Sequence, residues 1–216
     1  MSLPSSSLRN PAAADATPTR VLADILAAVD AGAANRWADR LIACFGSPAA
    51  ALAAPAERLG EVLDDMRATA LIAACRRAHL WSLREPIAAR PLLATRDALL
   101  HYARQSMAFD GEEALRAFFV NGRRELIAEE EVARGTPSMV AVEPRQILVR
   151  ALALAATGVI LVHNHPSGDP APSAADRRFT QRLAAGGACI GVTLHDHLVV
   201  ARGGSHRIEI AALSLD

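Results

Sequence analysis

Residues 159–176, VILVHNHPSGDPAPSAAD, are the stretch of sequence that decides the fold. Four apolar residues, Val159 to Val162, end in His163-Asn164-His165-Pro166, the pattern of a buried strand that surfaces at a sheet edge. Residues i and i+2 of a strand point to the same face, so the two histidines can present both imidazoles to one ion. Prolines exclude a helix in the following loop, and Ser173 to Asp176 is typical of the first turn of a new helix.

The residue types in this stretch favour a metal site. Two imidazoles and one carboxylate, with a fourth position open for water, form the ligand set of a catalytic zinc site. Asp176 would return towards the strand end and complete that set with His163 and His165. Alternatively, Ser173 and Asp176 form only a capping box, in which side chains satisfy free N–H groups at a helix start. That alternative leaves two histidines in register at the end of an apolar strand without a reason.

The segment HNHPSGDPAPSAAD resembles the H-x-H-P…S-x-x-D signature of the JAMM (JAB/MPN) metalloproteases, in the form found in the bacterial RadC-like family. The resemblance implies that His163, His165 and Asp176 bind Zn²⁺ and that Ser173 stabilises the substrate carbonyl in the transition state. It also implies a cytidine-deaminase-like JAB/MPN domain, a mixed α/β fold whose sheet is flanked by helices.

A hydrolase of this kind needs a general base that is not a metal ligand. Glu112 and Glu113 both precede the strand predicted at 117–120. In the RadC-like pattern a glutamate heads this strand, and Glu113 falls into that frame with Phe119 and Asn121. The resemblance therefore implies Glu113 as the base. Glu112 remains the alternative, because a shift of one residue turns a strand side chain to the other face.

Other polar residues could compete for these roles. His195 and His197 repeat the His-x-His spacing, but no third ligand and helix start follow them, so we expect them to form hydrogen bonds near the site. Asp169 is expected to be a turn residue before Pro170. The charge run Glu129 to Glu131 is expected to be a solvated sheet edge that discourages aggregation.

The composition is that of a globular protein. The chain has 216 residues, 51% of them hydrophobic and 21% charged, with a formal net charge of zero. It can bury a full core and lacks the large basic field of a dedicated nucleic-acid binder. It shows neither a membrane-length apolar run nor a signal pattern, so we expect a cytoplasmic protein with no membrane association. Three residues are expected to be small buried side chains rather than a disulfide or zinc framework: Cys44, Cys75 and Cys189.

Three regions follow along the chain. Residues 1–18 are rich in Ser, Pro and Ala and predict a flexible tail. Residues 19–90 show helical periodicity and predict a small all-α domain ended by Pro86, with Trp37 and Trp81 in its core. Residues 91–216 predict the metal domain, a mixed sheet with helices on both sides. Two local signals in this domain are a two-residue hairpin turn at Asn121-Gly122 and a helix stopped by Gly186-Gly187.

In RadC-like proteins the first of these domains is a helix-hairpin-helix module, and residues 45–74 resemble its two helices and turn. Such modules use a Gly-apolar-Gly turn that brings backbone N–H groups close to a phosphate. Here the turn is Asp64-Asp65-Met66-Arg67, which has no glycine and carries two carboxylates. The sequence therefore speaks against more than a weak association with DNA through this hairpin.

The leading function is zinc-dependent hydrolysis of an amide bond, peptide or isopeptide, in a protein or peptide substrate. The alternative is a DNA-repair-associated or partner-binding protein whose zinc site is not catalytic. The proline-rich loop 166–172 predicts a stiff rim around an open groove. We expect a substrate to lie extended there, as an added strand beside the strand that Glu113 begins. The sequence leaves the oligomeric state open.

Overall fold

The structure is a computed structural model, and it describes residues 17–89, 91–92, 96–135 and 142–210. The chain divides into two compact units between Arg76 and Arg77, inside a long helix. Most of the predicted tail lies outside the described residues. The predicted domain boundary after residue 90 stays a prediction.

The first unit is built of helices, as the periodicity indicates. Thr17 and Ser47 begin two of them by accepting hydrogen bonds from backbone N–H groups, and Gly46 ends another with φ of 79°. Apolar faces from these helices form one core, which includes Leu22, Leu41 and Ile72. The helices are α1 (Pro18–Leu26), α2 (Ala34–Phe45), α3 (Pro48–Ala53), α4 (Ala56–Leu63) and α5 (Met66–Ala89), which continues beyond the unit.

The turn between α4 and α5 is closed by its own carboxylates. Asp64 ends α4 in the left-handed conformation, with φ of 55°. The Asp65 side chain accepts hydrogen bonds from the N–H groups of Arg67 (2.7 Å) and Ala68 (3.1 Å). A phosphate at this turn would have to displace that carboxylate from the same N–H groups. DNA association stays a prediction, and this turn adds nothing in its favour.

Two predictions for α5 are wrong. The helix passes through Pro86 and ends at Ala89, because burial of Ile87 offsets the hydrogen bond that a proline removes. Trp37 is buried as predicted, but Trp81 is 67% exposed.

The three cysteines are free thiols, as expected. The expectation that they are buried is wrong, because Cys44 and Cys189 are exposed and Cys75 is half-buried.

The second unit contains a five-stranded mixed sheet in the order β2-β1-β3-β4-β5. Strand β1 is antiparallel to both β2 and β3, β3 is parallel to β4, and β4 is antiparallel to β5. The predicted mixed α/β fold is confirmed. Its elements are α6 (Arg96–Met107), β1 (Glu113–Val120), β2 (Leu126–Gly135), α7 (Pro144–Ala153), β3 (Gly158–Asn164), α8 (Ala174–Ala188), β4 (Thr193–Ala201) and β5 (Gly204–Arg207).

Strand β3 is buried on both faces, which explains its unbroken apolar run. Ile160 and Val162 pack in a core with residues of α6. Val159 and Leu161 point the other way and pack with residues of α7 and α8. Because side chains alternate along a strand, His163 lies on the same face as Val159 and Leu161. The strand thus delivers His163 to the start of α8.

Two predictions that rest on glycine-containing pairs of residues are wrong. The predicted two-residue hairpin turn is wrong, because the loop runs from Asn121 to Glu125 and includes Arg124 at φ of 64°. The prediction that Gly186-Gly187 stops α8 is also wrong. A Cβ atom on Gly187 would lie 2.3 Å from the carbonyl oxygen of Val192, so glycine there permits a close approach.

The charge run on β2 is not simply a solvated edge. The Glu129 side chain is only 11% exposed, and it pairs with Arg84 (3.1 Å) and Arg116 (3.3 Å). It also accepts a hydrogen bond from the Tyr102 hydroxyl (2.8 Å). Burial, together with this carboxylate, raises the pKa of Tyr102 to about 12. Glu129 therefore ties α5, α6 and β1 to β2.

Candidate metal centre

Four potential metal ligands converge at one end of the sheet. Glu113 begins β1, His163 lies near the end of β3, His165 follows that strand, and Asp176 lies in the first turn of α8. Each offers one ligand atom, and these atoms all lie within 4.8 Å of one another. Glu113, His163 and Asp176 are buried, and His165 is partly buried. The fold thus gathers every residue that the sequence indicated for the metal and the base.

The hydrogen bond of His165 to the proline-rich loop 166–172, here called the metal loop, fixes which ring nitrogen faces the cluster. Its Nδ1 lies 2.9 Å from the carbonyl oxygen of Asp169, and a carbonyl can only accept, so Nδ1 carries hydrogen. The Nε2 atom of neutral His165 is then bare and faces the other ligands. The Asp169 side chain accepts from the N–H of Ala171 (2.9 Å), in agreement with its predicted place in a turn.

A chain of buried hydrogen bonds orients His163 in the same sense. The Thr180 hydroxyl donates to the backbone carbonyl of Asp176 (2.6 Å) and so must accept from Nδ1 of His197 (2.7 Å). With its hydrogen on Nδ1, His197 accepts at Nε2 from Nδ1 of His163 (2.9 Å). The Nε2 atom of His163 is left bare. Burial lowers the pKa of His197 well below its ordinary value, which keeps His197 neutral.

The bare nitrogens form a site suited to a cation. The Nε2 atoms of His163 and His165 lie 3.0 Å apart, so two lone pairs face each other unless a cation lies between them. The Asp176 carboxylate lies 3.6 Å from one of these nitrogens and 3.7 Å from the other. Two neutral imidazoles and a carboxylate fit Zn²⁺ by donor type.

The pKa values of Asp176 and His165 also indicate that this site favours positive charge. Burial alone would raise the pKa of Asp176, but the neighbouring His163 and His165 rings and the hydrogen bond from Ser173 outweigh it and hold that pKa far below its usual range. Asp176, to which protonated His165 can donate a hydrogen bond, raises the pKa of His165 more than any other neighbour. A carboxylate that stays ionised in a buried place is what a divalent cation requires.

Asp176 serves the helix and the cluster together. Its Oδ2 accepts hydrogen bonds from the backbone N–H (2.7 Å) and the hydroxyl (2.6 Å) of Ser173. In return, Oγ of Ser173 accepts from the N–H of Asp176 (3.1 Å). The capping box is therefore real, and it does not compete with a metal site, because the two uses of Asp176 are compatible. The hydroxyl hydrogen of Ser173 would have to turn away from Asp176 to reach a substrate oxygen.

Glu113, and not Glu112, is the glutamate brought into the cluster. Its side chain is buried, whereas Glu112 is exposed and directs its carbonyl oxygen to Asn164. Burial raises the pKa of the Glu113 carboxyl, against the opposing effect of the two imidazoles. A carboxylate with a raised pKa accepts and returns protons closer to neutral pH.

The metal loop is supported by the turn between β4 and β5. The Gly203 N–H donates to the Gly168 carbonyl (2.9 Å), and the Arg202 side chain donates to the Pro166 carbonyl (3.2 Å). A Cβ atom on Gly203 would lie 2.6 Å from the same Gly168 oxygen, so only glycine allows this contact. These bonds agree with a stiff rim.

The expected place for an added substrate strand is wrong. Strand β1 already pairs with β2 on one edge and β3 on the other. At its first residues the Asn164 side chain occupies the edge where β3 has ended. Among the described strands, β2 and β5 form the outer edges of the sheet.

Two residues near the cluster were not identified from the sequence, Thr180 and Asn164. Thr180 lies four residues after Asp176 on the same helix face, a spacing that could have indicated it. Asn164 lies between the two histidines of the cluster, so strand alternation turns it to the opposite face, towards β1. The expected hydrogen-bonding role is found for His197, while His195 lies against Gly158 and outside the cluster.

Comparisons with known proteins agree with this geometry. The model of the RadC-like JAB domain family matches residues 93–209. A UPF0758 protein of Rhodobacter capsulatus is 43% identical over 167 residues, which cover 77% of this chain and 78% of that protein. A UPF0758 protein of Ruegeria pomeroyi is 42% identical over 164 residues, which cover 75% of this chain and 73% of that protein.

Proposed function

The chain belongs to the RadC-like JAB domain family, and from that premise we propose that it is a zinc-dependent hydrolase of amide bonds. The substrate class is a peptide or an isopeptide-linked protein. The observation that carries the proposal is the buried group of two imidazoles and two carboxylates at one sheet end. His163, His165 and Asp176 would hold the metal, which leaves Glu113 free to handle protons.

The chemistry is divided between the metal and the chain. Bound Zn²⁺ supplies a Lewis acid that polarises a carbonyl and makes water acidic enough to ionise near neutral pH. Glu113 takes the proton of the attacking water on its carboxylate and then gives it to the leaving amine. Its buried position, which raises its pKa, suits both steps. Ser173 donates its hydroxyl hydrogen to the oxygen that becomes negative, once that hydrogen turns from Asp176.

Asp176 retains its charge while these protons move. The pKa of Asp176 lies far below its usual range, so this carboxylate does not compete with Glu113 for the proton. Two carboxylates with pKa values driven apart by their surroundings take separate roles.

The test compares two neighbouring glutamates in the full-length protein. Glu113→Gln should retain zinc and lose about 10²–10⁴-fold in turnover, because the amide that replaces the carboxylate cannot accept the proton. Glu112→Gln is the matched control and should remain active, since Glu112 is exposed. Zinc content is measured on each protein, and hydrolysis is profiled with a peptide library and isopeptide-linked substrates.

If Glu113→Gln turned over substrate at the wild-type rate, Glu113 would not be the general base. An absence of hydrolysis by every zinc-loaded protein would favour the alternative class, a DNA-repair-associated or partner-binding protein with a non-catalytic zinc site. DNA affinity that falls steeply with added salt would then be its positive sign.

A further inference from the structure

Asn164 lies between the two histidines of the metal site but faces away from them. It is fully buried. Its Oδ1 accepts a hydrogen bond from the backbone N–H of Ala114 (2.8 Å), and its Nδ2 donates to the backbone carbonyl of Glu112 (2.9 Å). These two backbone groups immediately precede and follow Glu113. One side-chain amide therefore forms hydrogen bonds to the backbone on both sides of the glutamate.

These two bonds lie where the ladder between β1 and β3 ends, although β2 still pairs with Glu113 and Ala114 on the other edge. Backbone pairing between β1 and β3 reaches only from Val120 to Leu115, which lies opposite His163. The Asn164 side chain adds two hydrogen bonds at the end of this ladder, one on each side of Glu113.

The chemistry of the contact selects asparagine. A single planar group must offer one acceptor to an N–H and one donor to a carbonyl oxygen. Aspartate would turn a carboxylate oxygen towards the carbonyl of Glu112, and alanine would leave the buried N–H of Ala114 without a partner.

We propose that Asn164 is a positioning residue that fixes where the Glu113 carboxylate stands relative to the metal ligands. The inference rests on the proposed function for its catalytic consequence, and on the two hydrogen bonds for its geometry. Successive residues at the end of β3 then act on opposite faces, since His163 and His165 present ligand nitrogens while Asn164 places the base. The spacing between ligands and base is set by three consecutive residues.

The chain contains a matched control at the other end of β1. Asn121 likewise makes two hydrogen bonds to backbone groups, but it accepts both, from the N–H groups of Arg123 (2.9 Å) and Glu125 (3.0 Å). It holds the hairpin loop and lies far along the strand from Glu113. The same substitution at Asn121 therefore measures the general cost of loosening an end of β1.

The first measurement requires no substitution that could prevent folding. Amide hydrogen exchange on the wild-type protein should show the Ala114 N–H strongly protected, as for the strand amides that follow it. Exchange of this amide at the rate of an open loop would overturn the proposal. This measurement does not depend on whether the protein is an enzyme.

The second measurement follows turnover. Asn164→Ala should lower kcat by about 10²-fold, the loss expected from a displaced catalytic group, while KM and zinc content stay near wild type. Asn121→Ala should leave kcat within a few-fold of wild type. In the Glu113→Gln background, Asn164→Ala should cause no further loss, because Asn164 acts through Glu113. An equal loss in that background, or an equal loss from Asn121→Ala, would overturn the positioning role.

A third measurement reports position without turnover. The ¹³C resonance of the Glu113 carboxyl, assigned by its absence in Glu113→Gln, should shift when zinc is added to the wild type and to Asn121→Ala. It should shift much less in Asn164→Ala. An identical shift in all three proteins would overturn the inference, whereas an inactive wild type that retains this pattern would overturn only the proposed hydrolysis.

Discussion

Two His-x-His pairs in this chain have the same spacing and different positions. His163 and His165 leave the end of β3 and direct bare nitrogens to one point. His195 and His197 lie in β4, and only His197 reaches the site, through its hydrogen bond to His163. The His195 ring lies instead against Gly158.

The difference comes from a β-bulge in β4. Val159 pairs with Leu194 and Ile160 pairs with Asp196, so His195 is the extra residue between the two pairs. An extra residue breaks the alternation of side chains, and residues two apart no longer share a face. A two-residue spacing predicts a chelating pair only where the strand is regular or ends.

The largest effect should come from the first pair. His163→Ala removes a nitrogen that faces the other ligands, so zinc affinity should fall by more than the roughly 100-fold typical of losing a ligand's hydrogen-bond partner. His195→Ala, the control from the second pair, should leave affinity unchanged. Competition with a chromophoric chelator measures both. Full zinc retention by His163→Ala would remove it from the ligand set.

The second pair should matter through His197 alone. His197→Ala leaves the Nδ1–H of His163 without its acceptor, and zinc affinity should fall about 10- to 100-fold. Thr180→Val removes the hydroxyl that orients His197 and should act in the same direction, whereas Thr180→Ser keeps the hydroxyl and should restore affinity. Equal affinity of the Val and Ser variants would break the proposed hydrogen-bond chain.

The histidines of the two pairs should also differ in the pH at which they bind a proton. Asp176 raises the pKa of His165, while burial lowers the pKa values of His195 and His197. Zinc must displace the proton from His165, so below that raised pKa the affinity should fall by up to about tenfold per pH unit. Above it, His165 adds no pH dependence. Calorimetry in buffers of different ionisation enthalpy measures the released proton, and no release at pH 6 would contradict this assignment.

The smallest effect concerns the bulge itself. A Cβ atom on Gly158 would lie 2.3 Å from Nε2 of His195 and 3.1 Å from Val120. Gly158→Ala should therefore cost about 1 kcal/mol of unfolding free energy, at the low end for overpacking because a ring can shift. His195→Ala should recover most of that loss, with zinc affinity unaffected throughout. Denaturant unfolding of the single and double variants checks this, and additive losses would rule out the contact.

The features that could be predicted from the sequence are those set by residues close together along the chain. The end of β3, the proline-rich loop and the helix start at Ser173 lie within a few residues of one another, so their patterns show without knowledge of the fold. His197 and Thr180 lie beyond that range. Their roles depend on the pairing of β3 with β4 and on the packing of α8, which spacing along the chain does not report.

Glycine and proline signals failed where packing opposed them. Gly187 permits a close approach to Val192 and does not end α8, and Pro86 is carried within α5 by the burial of Ile87. Proline costs about 3 kcal/mol inside a helix, and burial of the neighbouring Ile87 offsets a large part of that cost.

The capping box of α8 bears on how the proposed site would be loaded with metal. Ser173 and Asp176 hold each other, and the carbonyl of Asp169 and the ring of His197 orient the two histidines. All these bonds are formed by the chain itself, unlike those of domains that stay unfolded until zinc arrives. We therefore expect folding and loading with metal to be separate events. A chelator should strip the ion from a chain that stays folded, and cobalt should enter it without a denaturation step.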